Sequence, residues 1–280
     1  MNTKKENVAL KWIANISFAI ISLIVLFPII GLLVSSFRPS SDLMRDGISF
    51  TIDFSNMNVD NYMYIFNEAS QYWSWYGNSL MISGMTIVLS LFFSSMVGYA
   101  LAMYDFKGRN LFFVLVLLIL MIPFEILMLP LYQMMVSAQI VDTYFAVVLP
   151  LIVAPVAVFF FRQYAMGLPK ELMDAARIDG STEYGIFFKI MLPLMGPSLA
   201  AMAILQGLAS WNNFLWPLLV LRSNDMFTLP IGLATLLTPY GNNYDILIAG
   251  SVLTIIPIII LFIFFQRYFV AGLTSGGVKG

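Results

Sequence analysis

Six stretches of this chain are apolar over about twenty residues or more, and that length decides most of what the chain can become. The runs cover residues 13–34, 78–104, 111–134, 144–164, 194–221 and 246–269. A helix rises about 1.5 Å per residue, so each run is long enough to cross a hydrocarbon layer about 30 Å thick. Lipid offers no partner to a free backbone N–H or C=O, so the spans must be helices. The expectation is an all-α polytopic membrane protein with six transmembrane helices. Charged residues make up 10% of the chain, whereas a soluble domain needs about a quarter. Prolines 28, 123, 130, 150, 155, 197 and 257 fall in or at the ends of the runs and predict kinks.

The basic residues set an orientation. With the N-terminus inside, the inner segments hold Lys4, Lys5, Lys11, Lys107, Arg109, Arg162, Lys170, Arg177, Lys189, Arg267 and Lys279. The outer segments hold only Arg38, Arg45 and Arg222. The positive-inside rule then puts both termini in the cytoplasm. The first apolar run is too long for the core of a signal peptide and reads as an uncleaved first span. A formal net charge of −1 argues against a nucleic-acid partner, which needs a basic surface. The chain has no cysteine and no histidine. Disulfides, thiolate nucleophiles, Cys or His metal ligands and imidazole acid–base chemistry are therefore all excluded.

Three segments lie outside the spans. The first outer loop, residues 35–77, carries Asp42, Asp46, Asp53, Asp60 and Glu68, with Tyr62, Tyr64, Phe66, Tyr72, Trp73, Trp75 and Tyr76. Its aromatic residues suit either a membrane-interface belt or a partner-docking surface. The second outer loop, residues 222–245, ends in Tyr240, Gly241, Asn242, Asn243 and Tyr244. The inner loop, residues 165–193, is the longest on its side. In it Pro169 suits the start of a short helix, Glu171 its positive end and Gly180 its stop. Ser181 suits the cap of a second short helix, with Glu183 in the first turn. Lys170, Asp174 and Arg177 fall on one side of the first helix, and Leu172, Ala175 and Ala176 on the other. An interfacial anchor would carry bulky apolar residues. Two adjacent alanines instead predict close docking into a protein groove, with the flanking charges giving register.

The run Asp174-Ala175-Ala176, then Arg177 to Asp179, Gly180, and later Ile190 and Leu192-Pro193 resembles the E-A-A-x3-G-x9-I-x-L-P loop of permease subunits in binding-protein-dependent ABC importers. Asp174 in place of Glu keeps the charge and shortens the reach. The stretch Trp211 to Leu218, the start Asn78-Ser79-Leu80 and the ending Gly272 to Gly280 are similar to carbohydrate permeases related to the smaller maltose-transporter subunit. Tyr104 to Asn110 adds a likeness to arabino-oligosaccharide permeases of Gram-positive bacteria. The resemblance implies a type I importer permease fold with a cytoplasmic coupling helix, in the bacterial cell membrane. It implies a single permease domain over 1–280, with a core at about 78–270 and a tail, 271–280, reaching towards the ATPases. The implied partners are a second, non-identical permease subunit, an ATPase dimer that binds ATP and Mg, and an extracellular sugar-binding protein. The chain itself would hold no cofactor and do no chemistry. The implied ATPase-coupling residues are Glu171, Asp174, Ala175, Ala176, Arg177, Asp179 and Gly180, and Tyr240 to Tyr244 would reach into the docked binding protein.

Other polar residues read two ways. Glu125 lies inside the third run and is expected to be buried, lining the path or making a structural or gating bond rather than serving as a proton relay. Trp211, Asn212 and Asn213 could meet sugar hydroxyls along the path, or bond between helices together with Gln206. Two other classes were weighed. An ion-driven secondary transporter would need ionisable groups or broken helices near the midplane. An intramembrane hydrolase would need a nucleophile and base. Neither accounts for the inner helix pair.

Overall fold

A computed structural model describes residues 8–47, 57–238 and 241–277. In chain order the helices are α1 (Val8–Ser35), α2 (Ser40–Asp46), α3 (Asp60–Asn67), α4 (Ser70–Met103), α5 (Arg109–Leu120) and α6 (Phe124–Ser137). There follow α7 (Tyr144–Val148), which runs through a 3-10 turn at Leu149–Leu151, α8 (Pro155–Ala165), α9 (Glu171–Ile178) and α10 (Glu183–Ile186). A π-helical turn, Phe187–Met191, leads into α11 (Leu192–Leu194), α12 (Gly196–Trp211), α13 (Leu215–Val220) and α14 (Leu229–Thr235). A short antiparallel pair, β1 (Leu237–Thr238) with β2 (Gly241–Asn242), precedes α15 (Tyr244–Gly277).

Among the described residues, three helices are long and apolar enough to cross a membrane unbroken: Lys11–Ser35, Ser70–Met103 and Tyr244–Gln266. Three more spans arise if each of three bent pairs counts as one. The third expected span is broken at residues 121–123, where α5 and α6 meet at 103°. Pro123 has no N–H to donate, so the helical ladder cannot run through it. The fourth bends by 42° between Leu151 and Pro155. The fifth differs most from expectation. It forms a bent pair over Glu183–Leu194 and Gly196–Trp211, at 75°, and stops at Trp211 instead of reaching residue 221. The bend lies between Pro193 and Pro197, and α13 is a separate helix with Pro217 inside its first turn. The second span starts earlier than expected, at Ser70.

The expected permease domain is built of two compact units. One comprises residues 1–70 and 233–255, the other residues 71–232 and 256–280. In the first unit α1 is apolar on every side and exposed, from Trp12 and Phe18 through Val25 and Phe27, as befits a helix bathed in lipid. Beside it Asn61 is buried and donates to the carbonyls of Ser36 and Arg38, both at 2.9 Å, which fixes the chain beyond α1. The loop at 222–245 carries a 3-10 turn at Asn224–Met226, α14 and the small β pair. Tyr240 lies outside the described residues. The expected tail is partly a continuation of α15, which runs to Gly277.

The second unit is organised around α4 and has two apolar cores. One gathers Tyr99, Met103, Phe161, Met173, Ala176, Phe187, Met191 and Met202. The other gathers Ile82, Met135, Val147, Trp216, Val220 and Ile231. In the first core α4 and α8 touch at Gly98. A Cβ there would stand 2.7 Å from the Phe161 Cβ and 2.9 Å from the Val158 carbonyl oxygen, so only glycine permits the approach.

At the other end α4 pins the segment that follows α13. The Trp75 indole donates to the Asn224 carbonyl at 3.0 Å, and the Asn78 amide to the carbonyls of Asp225 and Phe227 at 2.7 and 2.9 Å. Tyr144 donates its hydroxyl to the Asn78 side-chain oxygen at 2.6 Å, and the Leu229 N–H donates to the Ser79 hydroxyl at 2.8 Å. Tyr72 and Trp75 are buried and form no interfacial belt. Asp142 closes this end in a left-handed conformation, φ +64°. Its carboxylate accepts from the N–H groups of Arg222 and Ser223 and from the Ser223 hydroxyl. Burial alone would raise the Asp142 carboxyl, but these donors outweigh it and hold the group below its ordinary value.

Candidate functional site

The inner loop forms the expected pair of short helices, with differences in detail. The first begins at Glu171 with Lys170 as its N-cap, so Pro169 stands just before the helix. It ends at Ile178, with Asp179 as C-cap and Gly180 at φ +80°. That conformation strains any residue with a Cβ, and nothing stands within 4 Å of the position a Cβ would take. The second helix is capped by Thr182 rather than Ser181; the Thr182 hydroxyl accepts from the Gly185 N–H at 3.2 Å.

The two alanines do not share a face. Ala176 is buried beside Met173 in the first apolar core, packed against Ile186 and Phe187 of its own chain. Ala175 is exposed, together with Glu171, Asp174 and Ile178, which share its side at helical spacing. Ile178 is 87% exposed and Tyr184 on the next helix 74%. The outward surface of the pair is therefore apolar at its centre and acidic on its flank, while Ala176 serves to seat the helix.

A clasp that sequence reasoning missed holds the pair together. The Arg177 guanidinium donates to Glu183 at 2.8 and 3.2 Å and to Asp174 at 2.8 Å. The Tyr104 hydroxyl, just beyond α4, donates to the Glu183 carboxylate at 2.6 Å. Arg177, then Tyr104, hold the Glu183 carboxyl below the ordinary value, and Glu183 in turn raises Arg177. Burial and then the bond to Glu183 push the Tyr104 phenol up. The only signal in the chain was an acid six residues beyond a base across a glycine turn.

The expected path residues separate. Glu125 is exposed in the first turn of α6 and not buried; a helix N-terminus favours a carboxylate there. Trp211 is buried, packs edge-to-face on Tyr76 with centroids 5.7 Å apart, and lines an apolar cavity of about 430 Å³ between α4, α12 and α15. Asn212 donates back to the Leu208 carbonyl of its own helix at 2.9 Å. Asn213 lines a second, mostly apolar cavity of about 170 Å³, with Thr86, Gln206, Ser210 and Phe124. Of the loop residues expected to meet a binding protein, Asn243 and Tyr244 adjoin the described β pair at the start of α15.

Bent helix pairs around the Ser-rich helix α4, with α9 clasped to the start of one of them, fit a transporter permease. Residues 91–275 match the family model described as binding-protein-dependent transport system inner membrane component, and the chain belongs to that family of ABC importer permeases. It is 74% identical over 277 residues to the arabinooligosaccharides transport system permease protein AraQ of Halalkalibacterium halodurans, covering 99% of both chains. The protein of that name from Bacillus subtilis is 62% identical, with 94% of each chain covered. The lactose transport system permease protein LacG of Rhizobium radiobacter is 34% identical, with 91% covered. Among solved structures, a chain from the crystal structure of a bacterial ABC transporter involved in import of the acidic polysaccharide alginate superposes with a TM-score of 0.81 at 22% identity. It covers 96% of this chain and 99% of its own.

Proposed function

We propose that this chain is the permease subunit of an ATP-driven importer of arabino-oligosaccharides in the bacterial cell membrane, with both termini cytoplasmic. A second, non-identical permease subunit completes the path, and a sugar-binding protein docks outside, near the loop that ends in Tyr240 to Tyr244. An ATPase dimer, which binds ATP and Mg, sits beneath. This chain is non-catalytic and turns closure of the ATPase pair into alternating access.

The observation that carries the reading is the clasped helix pair. Ala176 and Met173 anchor α9 inward, Arg177 and Glu183 lock it to α10, and Glu171, Asp174, Ala175 and Ile178 face outward. Large apolar residues exposed together outside a membrane span mark a protein contact. The 74% identity to a permease named for arabinooligosaccharides supports the substrate class.

The test is Ile178→Asp in the co-expressed complex. The permease pair should insert normally, the ATPase should no longer co-purify, and uptake of labelled arabinotriose should be lost. Co-purification and uptake at wild-type levels would sink the coupling role. In the wild type, uptake should stop with vanadate and persist with an ionophore, and the reverse pattern would indicate an ion-driven transporter.

A further inference from the structure

We infer that this chain holds the phosphate headgroup of an anionic phospholipid of the inner leaflet, at the seam where α5 starts and α8 ends. The inference takes the orientation proposed above and goes beyond the import function, because the ligand belongs to the membrane and is not the cargo.

The seam carries cations that the protein does not neutralise. Arg162 stands in the last turn of α8. Its guanidinium carbon lies 3.7 Å from the centroid of the Phe113 ring on α5, and Phe113 stacks on Phe159 of α8 with centroids 6.2 Å apart. The ring attracts the cation and covers it, but it brings no negative charge. The Arg162 Nε is buried without a hydrogen-bond partner. None of the ion pairs among the described residues includes Arg162. The charge set against it is instead that of Arg109, which has the same sign. A guanidinium drawn partly out of water without a counter-charge is costly.

Arg109 is itself at odds with its position. It is the first residue of α5, and the positive end of a helix disfavours a cation. Gly108 at the N-cap offers no side-chain acceptor to the free N–H groups of the first turn. Arg109 and Phe113 share a face of α5 at i, i+4, so both arginines belong to one seam. Asp105 pairs with Arg109, but it is one carboxylate against Lys107, Arg109 and Arg162, and the group stays positive. Glu183, which accepts from Tyr104 beside it, is already taken up by Arg177.

The surroundings say which anion fits. The turn over residues 105–111 lines a recess of about 450 Å³ that Lys107 and Arg109 share. Around these charges Phe106, Leu111 and Phe112 are exposed, and the rings of Phe106 and Phe112 lie 6.3 Å apart. A soluble anion has no use for such neighbours. A phospholipid presents a phosphate at the level of the cations and acyl chains at the level of the apolar residues. In the proposed orientation both helix ends lie at the cytoplasmic face, where basic sites between spans meet anionic headgroups. The oxygens of a phosphodiester suit a guanidinium fork, and the open first turn of α5 adds N–H donors.

The test uses the assembled complex with all its subunits, purified in detergent and mixed with equal amounts of dioleoyl phosphatidylglycerol and dioleoyl phosphatidylcholine. Native mass spectrometry counts the lipids retained. The wild type should hold at least one phosphatidylglycerol that Arg162→Gln binds about tenfold more weakly, the worth of one charged contact. Lys107→Gln, in an exposed turn, should weaken the same lipid about fivefold. If Arg162→Gln fails to assemble, Lys107→Gln and Arg109→Gln decide. Lys170→Gln is the control: it removes an exposed cation of the same inner face outside the seam and should leave retention at the wild-type level. Equal retention of the two lipids by the wild type overturns the site. So does phosphatidylglycerol held as tightly by the seam variants as by the wild type, or an equal loss in Lys170→Gln. Inorganic phosphate in large excess should leave the lipid in place; its displacement would mark a site for a free anion and overturn the lipid assignment. Retention is read without transport, so a complex that holds the lipid yet imports no arabinotriose loses the proposed cargo and keeps this site.

Discussion

Glu183 holds the inner loop together although it is no part of the family motif. It takes both the Arg177 guanidinium and the Tyr104 hydroxyl, and so ties α9, α10 and the end of α4 into one body. Because Arg177 and Tyr104 depress its carboxyl, the sign of the pH effect is set. The clasp is fully present above the ordinary glutamate pKa of about 4.3 and is lost only as pH falls through the lower folded value. Amide hydrogen exchange over residues 171–180 should therefore be slow at neutral pH, after correction for intrinsic rates, and accelerate only below that ordinary value. Glu183→Gln should bring the faster exchange to pH 7. A mutant as protected as the wild type at pH 7 would remove the clasp from the account. The loop's helices and the glycine turn were legible from Gly180 and the cap-forming residues after it. Which alanine faced inward was not, because that depends on helical phase relative to Met173, and Met173 has no role in the motif.

The helices owe their relative placement to close contacts and breaks that composition hides. At Gly98 the α4 and α8 backbones approach to a distance that excludes even a methyl group. Gly98→Ala should part the two helices and cost about 1–3 kcal/mol by overpacking, read as a lower unfolding temperature of the purified complex. Gly84→Ala is the matched control on the same helix, since nothing stands within 4 Å of its Cβ position. Equal melting of the two variants would refute a special contact at Gly98. The six spans were readable because hydrocarbon thickness sets the length of an apolar run. The breaks within three of them were less readable. Membrane helices carry prolines both with and without breaking, and the chain does both: Pro257 lies inside an unbroken α15, whereas Pro123 ends a helix. Of the candidate site, Asn213 and Gln206 were identifiable as intramembrane amides.

For the molecule as a whole, the absence of native cysteine makes the proposed orientation directly testable. Single cysteines at Ser181 and Asn67, both exposed, should label from opposite sides in sealed vesicles, Ser181 from the cytoplasmic face. Labelling of both from one side would overturn the proposed topology.

The bent join between the clasped helices and α12 has a mechanical consequence. Residues 183–194 and 196–211 meet at 75°, so the short arm that carries Glu183 and the long arm that carries Gln206 form a crank about Met195, whose side chain is fully buried. The long arm has 16 residues and is about 24 Å long at 1.5 Å per residue, so turning the crank by about 5° sweeps its far end through about 2 Å. That stroke is close to the length of a hydrogen bond. A small rocking of the short arm is therefore enough to make or break a hydrogen bond at Asn213, just past the tip of the long arm.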